Sequence, residues 1–266
     1  MLAMNTTTFI HPTAIVEPGA QLGTQVFVGA YAYIGANVRL GDRCRVEHHA
    51  TVDGYTTLGT DNEIHPYSFI GAKTHDLKYK GGRCFLTIGN HNVFREYVSI
   101  HTATADGDAT VIGNHNYILA FSHIGHDCQL GDDIIMSAQV ATGGHVRIDN
   151  AANIGGNSSI HQFCHIGTHA MLAGHAFLKK DLPPFMIAFG SPALVKSYNY
   201  IGMTRHGFSP EECAVVKHIF KVLYESNWNR SQSITQLHNW ATLNSYPKLK
   251  TIFFDFLEKA SIRGLI

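Results

Sequence analysis

Three short histidine and glycine motifs are spaced so that they could build a proton-transfer site. His126 ends a run that begins at His123, Gly144 follows His126 by 18 residues, and Gln162 follows Gly144 by 18. A neutral imidazole with a pKa near 6.5 is suited to take a proton from a hydroxyl group. The adjacent Asp127 could orient that ring and stabilise its protonated form, while a glycine offers an unshielded N–H for an oxyanion. The motifs indicate general-base chemistry if residues 18 apart lie together.

A six-residue repeat from Ile10 to Leu178 predicts that residues 18 apart lie together. In steps of six, nearly every position is Val, Ile or Leu, and about half are followed directly by glycine. This period is neither helical nor that of a half-buried strand, and it is typical of a parallel β-helix. The glycine is expected to allow a tight corner. Three units form a coil of about 18 residues, and coils stack about 4.8 Å apart. Gly143-Gly144-His145 and His161-Gln162 should therefore form one outward-facing column with His126.

Two segments break the repeat but keep its phase. Residues 72–87 are predicted to be a loop excursion that replaces a coil's worth of strand, and residues 102–111 are predicted to be a second excursion. Loops on a rigid scaffold often carry function. Asp76 and Lys78 lie in the first excursion. They are either an ordinary solvated pair or a carboxylate and an ammonium group that reach back toward the histidine column.

The repeat divides the chain into two predicted domains. Residues 1–189 are predicted to form the β-helix, which should end at Lys179–Pro184 because proline cannot donate to a β ladder. Residues 190–266 are predicted to form a small α-helical C-terminal domain that caps the last coil. Ser209, Pro210 and Glu212 form a helix start there, another start is expected near 231–233, and a last helix follows Pro247.

Composition narrows the class of protein. Lysine plus arginine equals aspartate plus glutamate, so there is no broad positive field for nucleic acid. The five cysteines show no pairing pattern, which favours a reducing compartment. The first residues lack the features of a signal peptide, and no apolar run is long enough to span a membrane. These features predict a cytoplasmic protein.

A second column consists of minimal side chains spaced by 18: Ala120, Ala138, Gly156 and Gly174. These residues would leave a smooth trough along the prism. The trough could be a flat subunit contact or a groove for a linear acyl chain, and the sequence favours neither.

The ordered combination of motifs resembles one family. The matching runs are Phe9-Ile10-His11-Pro12-Thr13-Ala14-Ile15-Val16, His75-Asp76-Leu77-Lys78-Tyr79, His123-Ile124-Gly125-His126-Asp127-Cys128, Gly143-Gly144-His145-Val146, His161-Gln162-Phe163-Cys164 and Arg205-His206-Gly207-Phe208-Ser209. They resemble the acyl-[acyl-carrier-protein]–UDP-N-acetylglucosamine O-acyltransferases, which catalyse the first step of lipid A synthesis. The resemblance covers essentially the whole chain. It implies an all-β left-handed parallel β-helix of hexapeptide repeats followed by helices, and a homotrimer with sites between subunits.

The resemblance also implies residue roles. His126 would be the general base on the glucosamine 3-hydroxyl, Asp127 would support it, and the Gly144 N–H would stabilise the oxyanion. Sugar, nucleotide or acyl groups would be held by Asp76, Lys78, His123, His145, His161 and Gln162. Asn199 and Arg205 would contact the uridine diphosphate end, and Gly174 matches the family's chain-length position.

The implied partners are UDP-N-acetylglucosamine and acyl carrier protein, whose phosphopantetheine carries the acyl group, with no metal or other cofactor. Two positions depart from the family pattern: His206 stands where a second arginine is frequent, and His75 stands where an amide can occur.

Three alternatives remain open at this stage. An N-acyltransferase of the same pathway normally has an extra N-terminal domain, whereas here the coils start at residue 10. A zinc lyase of the γ-carbonic-anhydrase type needs two histidines five apart, and no such pair occurs. A non-catalytic scaffold would use the histidine column as a structural ladder.

Overall fold

The computed structural model describes residues 7–266, which form a three-walled parallel β-helix followed by short helices. The predicted fold class, a left-handed parallel β-helix with a helical C-terminal part, is confirmed. The first wall contains Phe9–Ile10, Phe27–Val28, Arg45–Val46, Glu63–Ile64, Val93–Phe94, Tyr117–Ile118, Ile135–Met136, Asn153–Ile154, Met171–Leu172, Met186–Phe189 and Leu194–Tyr198. The second wall contains Ile15–Val16, Tyr33–Ile34, Thr51–Val52, Phe69–Ala72, Ser99–His101, His123–Ile124, Ala141–Thr142, Ser159–Ile160 and Phe177–Leu178. The third wall contains Gln21–Leu22, Arg39–Leu40, Tyr55–Leu58, Phe85–Ile88, Ala109–Ile112, Gln129–Leu130, Arg147–Ile148 and His165–Ile166.

The repeat works as the sequence predicts in the uninterrupted coils. His123 pairs with Ala141, and Ala141 pairs with Ser159, so each step of 18 residues returns to the same wall. The aliphatic residue of each unit points inward, and those from Val28 onward are buried. The core is therefore a continuous aliphatic column that each coil shares with its neighbours.

Each edge of the prism turns at a residue in the left-handed backbone region, often one that is not glycine. We call the edge from the first wall to the second the first edge, the next the second edge, and the last the third edge. Phe121 marks the first edge, Asp127 and His145 the second, and His115 the third, all with φ near +60°. The left-handed conformation costs about 1–2 kcal/mol for a residue with a Cβ, and hydrogen bonds between coils offset that cost.

The glycine after the inward aliphatic residue has a different role from the one we expected. Gly125 is not in the left-handed region, and a Cβ there would lie 2.8 Å from the Gly143 carbonyl oxygen of the next coil. Close stacking of coils, rather than the corner's dihedral angles, requires glycine at this position.

Both excursions are insertions, so the prediction that the first one replaces a coil's worth of strand is wrong. Ile70 pairs with Ile100 on the second wall, whereas Ile88 pairs with Leu58 on the third. Partners in adjacent coils are 30 residues apart across the first excursion and 24 apart across the second. The aliphatic residues after each insertion still point inward, because the number of inserted residues is a multiple of six in both cases. Each runs from a second-wall strand to a third-wall strand, so both project from the second edge.

The helices begin close to where the sequence predicts. They are α1 (Tyr200–Arg205), α2 (Pro210–Tyr224), α3 (Arg230–Asn239), a 3₁₀ turn (Ala241–Ser245) and α4 (Pro247–Glu258). Ser209 and Glu212 form the expected capping box of α2, and Pro247 opens α4. Asn229 caps α3, so this helix starts slightly before the predicted position.

The repeat does not stop at the two prolines. Met186–Phe189 still adds a parallel strand to the first wall, and Leu194–Tyr198 returns antiparallel to it. A hydrogen-bonded strand pair therefore spans residue 190, the predicted boundary between the two domains.

The C-terminal segment is fastened to the β-helix by one buried carboxylate. Asp181 accepts hydrogen bonds from the N–H and the hydroxyl of Ser261, both at 2.6 Å, and from the His165 N–H at 2.8 Å. The Phe256 ring of α4 packs 4.3 Å from the His165 ring. These contacts hold the C-terminus against the last coils of the second edge.

Candidate active site

The structure brings the predicted histidine column together at the second edge. The His145 N–H donates to the His126 carbonyl at 2.9 Å, and the Phe163 N–H donates to the Gly144 carbonyl at 3.1 Å. His126, Gly144 and Gln162 therefore occupy the same corner position in three consecutive coils, and the prediction of their stacking is confirmed.

His126 and Asp127 form the hydrogen-bonded pair that the sequence suggested. His126 Nδ1 lies 2.7 Å from Asp127 Oδ2, and the two side chains are only 14% and 10% exposed. Because a carboxylate only accepts hydrogen bonds, the proton belongs on Nδ1 and leaves the Nε2 lone pair free. Asp127 is the left-handed residue of this corner, and its side chain lies against His126.

The second excursion holds Asp127 in its charged form. Burial alone raises the pKa of the Asp127 carboxyl, but hydrogen bonds from His126 and Thr104, together with nearby His145, hold that pKa below its ordinary value. The Thr104 N–H donates to Asp127 Oδ1 at 3.1 Å, and the Thr104 hydroxyl lies 3.1 Å from His126 Nδ1. The carboxylate is therefore ionised and available to stabilise an imidazolium at neutral pH.

The first excursion also folds over this pair. Asp76, His126 and His145 each bring a side-chain nitrogen or oxygen atom within 4.8 Å of the other two. The Thr74 and Thr104 hydroxyls, 2.8 Å apart, join the two excursions. Lys78 is exposed, and its N–H donates to the Asp76 carboxylate at 2.9 Å. Asp76 reaches the column as the functional interpretation predicts, whereas Lys78 contacts Asp76 through its backbone N–H and not through its ammonium group.

Gly144 is the close neighbour of the His126 ring. A Cβ at Gly144 would overlap that ring, so no side chain fits without moving it. Within residues 7–266 the Gly144 N–H donates to no protein acceptor. Gly144 is a buried residue next to the His126 ring, so its N–H is available to bind an oxyanion beside the proposed base.

The remaining predicted histidines flank this centre at different depths. His145 is exposed, lies 5.3 Å from the His126 ring and stacks on Phe163 at 4.7 Å. His123 is half-buried and lies 2.9 Å from the Ser99 hydroxyl through Nδ1. His161 lies one coil further along, with Nδ1 directed at the Gln162 carbonyl at 3.2 Å. All three therefore border the same edge as His126.

The small-residue trough is not beside the histidine column within one chain. Ala120, Ala138, Gly156 and Gly174 do stack, because each carbonyl of the first three accepts a hydrogen bond from the following coil. This column, however, lies on the first edge, across the second wall from His126. Within one chain the trough is therefore not next to the imidazoles, because the second wall separates the two edges.

Asn199 and Arg205 lie near the third edge, beside His169. Asn199 caps α1 by accepting from the Gly202 N–H at 3.0 Å and donates to the His169 carbonyl of the third edge at 2.8 Å. Arg205 is exposed and lines a groove with His169 and His206. The predicted residues thus occupy three edges of one prism.

Sequence reasoning missed several residues that touch the site. Thr74 and Thr104 lie in the excursions, whose phase-keeping breaks were the available signal. Arg263 donates through Nε to the Gln162 carbonyl at 3.0 Å, which places the C-terminal segment against the column. No local motif signals this contact, because the two residues are 101 apart in the chain.

Among residues 7–266, two clusters of side chains could hold a metal ion. Asp76, His126 and His145 form one, and His75, His101 and His123 form the other. The first coincides with the proposed general base, whose lone pair a metal ion would occupy. The second lies next to it on the second wall.

Comparison with known proteins identifies close relatives. The family profile for UDP N-acetylglucosamine O-acyltransferase, domain 2, matches residues 181–266, and the bacterial transferase hexapeptide profile matches residues 19–54. An acyl-[acyl-carrier-protein]–UDP-N-acetylglucosamine O-acyltransferase from Burkholderia orbicola is 44% identical over 261 residues, covering 97% of this chain and 99% of its own.

Solved structures agree with these sequence relatives. The UDP-N-acetylglucosamine acyltransferase of Francisella novicida matches with a TM-score of 0.92 and 33% identity, over 97% of this chain and 94% of that one. The enzyme of Moraxella catarrhalis matches with a TM-score of 0.91 and 32% identity, over 97% and 99% of the two chains. In the described part of the chain, no helix has the length and apolar character needed to cross a membrane.

Proposed function

This chain belongs to the acyl-[acyl-carrier-protein]–UDP-N-acetylglucosamine O-acyltransferase family, and from that membership we propose the chemistry of its second edge. It is an acyltransferase of the first step of lipid A synthesis. The reaction moves a 3-hydroxyacyl chain from the phosphopantetheine of acyl carrier protein to the 3-hydroxyl of UDP-N-acetylglucosamine. Membership also decides against the N-acyltransferase, zinc lyase and scaffold alternatives.

His126 acts as the general base. Its Nε2 takes the proton from the sugar 3-hydroxyl as the oxygen attacks the thioester carbonyl carbon. The single observation that carries this assignment is the 2.7 Å contact between His126 Nδ1 and ionised Asp127, which fixes the required tautomer. General-base catalysis of this kind contributes roughly 10²–10⁴ to the rate.

The Gly144 N–H stabilises the tetrahedral oxyanion. This donor has no acceptor in residues 7–266 and sits in a buried position beside the His126 ring. As the intermediate collapses, the C–S bond breaks and the imidazolium returns its proton to the phosphopantetheine sulfur. An oxyanion donor contributes roughly 10²–10³ to the rate.

The surrounding polar groups position the acceptor sugar. Asp76 and His145, which lie within 4.8 Å of the base, are placed to hold hydroxyl groups. His123, His161, Gln162 and Lys78 border the same cleft, where they contact sugar, phosphate or acyl groups. The two excursions shield the cleft from water, which strengthens each of these polar contacts.

A homotrimer completes the site. Gly174 on the first edge and Asn199 with Arg205 near the third cannot converge on His126 of the same prism. Parallel prisms packed side by side would bring different edges of neighbouring copies together. The acyl chain then lies along Ala120, Ala138, Gly156 and Gly174, and Arg205 meets the uridine diphosphate of a site shared with a neighbour.

The donor and the cell compartment follow from the same chemistry. The acyl group arrives on the phosphopantetheine of acyl carrier protein, so the proposed transfer needs no other cofactor. We place the enzyme in the cytoplasm, in keeping with its five free, buried cysteines.

One assay matrix tests the proposed function. Purified full-length chain is combined with UDP-N-acetylglucosamine and a series of 3-hydroxyacyl and plain acyl thioesters of acyl carrier protein. We expect an O-acylated sugar nucleotide, with 3-hydroxyacyl donors preferred and one chain length dominant. Matched reactions with acyl-coenzyme A donors control for the carrier. Failure with every carrier-bound donor, in chain shown to be folded and trimeric, would overturn the proposal.

A further inference from the structure

A histidine triad lies on the second wall beside the proposed base, and the proposed reaction leaves most of it unused. His101 ends the strand Ser99–His101, His123 begins the strand of the next coil, and His75 reaches them from the first excursion. The His75 and His101 ring centroids are 3.8 Å apart, and the His101 and His123 centroids are 5.0 Å apart. Each residue brings one ring nitrogen within 4.8 Å of the other two.

Ring nitrogens of His101 and His123 are free of hydrogen-bond partners in the described chain and so are available to bind a metal ion. His101 is only 4% exposed, and its Nδ1 is buried without a hydrogen-bond partner in the described chain. His123 Nδ1 contacts the Ser99 hydroxyl at 2.9 Å, so its Nε2 remains free to bind. A metal-bound histidine commonly has its second nitrogen oriented in this way by an outer group.

Protons compete weakly for this site. Burial, with the neighbouring His75 and His123 rings, lowers the pKa of His101 to about 4. Burial, together with the neighbouring His75 and His126 rings, also lowers the pKa of His123. Both rings are therefore neutral at physiological pH and offer lone pairs without first releasing a proton.

We propose that His75, His101 and His123 form an accessory zinc-binding site. Three imidazole ligands with an open fourth position are a typical zinc set. Tetrahedral coordination places ligand nitrogens about 3.4 Å apart, so the triad must contract slightly. His75 can supply that movement because it is exposed on an excursion, whereas His101 and His123 are fixed in strands.

Zinc at this site would fasten the first excursion to the second wall. The residue next to His75 is Asp76, which lies against His126. A bound ion therefore fixes the position of Asp76 over the base and occupies His123, so it slows entry of the acceptor. The binding itself does not depend on the proposed reaction, although this inhibition does.

The test uses full-length chain without an oligohistidine tag, stripped of metal with a chelator. Zinc is titrated in competition with a chromophoric chelator, and cobalt(II) absorption reports tetrahedral nitrogen coordination. We expect one zinc per chain in the wild type. His75→Asn should weaken binding at least roughly tenfold and should keep its fold, since the residue is exposed.

Two controls separate this site from others. The double variant His91→Ala/His115→Ala removes a stacked histidine pair on the third edge, 4.8 Å apart, and should bind zinc like the wild type. Asp76→Asn removes a ligand of the neighbouring cluster only and should also keep the affinity. Equal zinc affinity in His75→Asn and wild type, or a loss confined to Asp76→Asn, would overturn the proposal.

Discussion

The first and second edges of the prism share a backbone and differ in what covers them. Both turn at a left-handed residue in successive coils, for example at His49 and Tyr67 on the first edge and at Asp127 and His145 on the second. On the first edge, the corner rings stack on one another, with 5.1 Å between the His49 and Tyr67 centroids. On the second, the corner side chains form a hydrogen-bonded network around His126.

The excursions explain the difference. Tyr31 on the first edge is exposed, whereas His126 on the second is half-buried. Both insertions leave the second edge, where Thr104 and Asp76 close over the histidine. A repeated corner can present a histidine anywhere along the prism. Such a histidine becomes a positioned and shielded base only where an inserted loop supplies its hydrogen-bond partners.

The largest expected effect comes from removing the base. His126→Ala should lower kcat by about 10³, within the range for general bases. His48→Ala on the first edge is the matched control, because His48 likewise precedes a left-handed corner residue. It should change kcat less than twofold. Steady-state assays on both variants, with thermal unfolding as a check on folding, measure this contrast. Comparable losses in the two variants would mean that the edges do not differ in chemistry.

The next effect comes from adding one methyl group. Gly144→Ala would push its Cβ into the His126 ring and displace it. A base moved by about 1 Å can cost about 10² in rate. Ala36→Ser adds one atom at the same corner position of the second edge, several coils before His126, where the residue is exposed. It should retain most of kcat. A Gly144→Ala enzyme with wild-type kcat would contradict the crowded geometry.

A smaller effect tests the first edge as an acyl groove. Gly174→Met would extend a side chain into the trough, so the enzyme should prefer a donor with a shorter acyl chain. Its kcat/KM for long-chain donors should fall roughly tenfold, because each methylene that is no longer buried is worth about 0.8 kcal/mol. Ala30→Met, at the same corner position in an early coil, should leave the preference unchanged. Competition between acyl carrier protein thioesters of different length measures it. An unchanged preference in Gly174→Met would favour the trough as a subunit contact alone.

The smallest effect concerns stability and pH. His101 has a pKa of about 4 in the fold against an ordinary 6.5, so between these values the unfolded chain binds more protons. The free energy of unfolding should therefore fall as pH drops from 6.5 toward 4, with up to about 3 kcal/mol from this residue. His169, lowered similarly by burial, adds to the slope.

Urea unfolding across that pH range provides the measurement. His101→Gln should reduce the slope, because the variant has no imidazole to protonate on unfolding. His49→Gln, on the exposed first edge, should leave it as in the wild type. A slope in His101→Gln that matches the wild type would rule out His101 as a source of the acid sensitivity.

The sequence predicted most of the scaffold because the β-helix depends on local repetition. Ile124, Thr142 and Ile160 occupy the same inward position in successive coils, so spacing alone placed His126, Gly144 and Gln162 in one column. The start of α2 was equally local, since Ser209 and Glu212 cap each other. The fold class and the dyad of His126 with Asp127 followed from contacts between near neighbours.

Only the tertiary structure decided what surrounds that column. The excursions keep the repeat's phase, so spacing could not show that they are inserted at one edge, bringing Thr104 to His126 and His75 to His101. The six residues from Ala120 to His126 are one repeat unit, so the period already places the trough one edge away from the column. Asp181 anchors Ser261, and Arg263, two residues further on, reaches Gln162. A period fixes the contacts that recur with it, whereas contacts made by insertions and chain ends depend on how the whole chain packs.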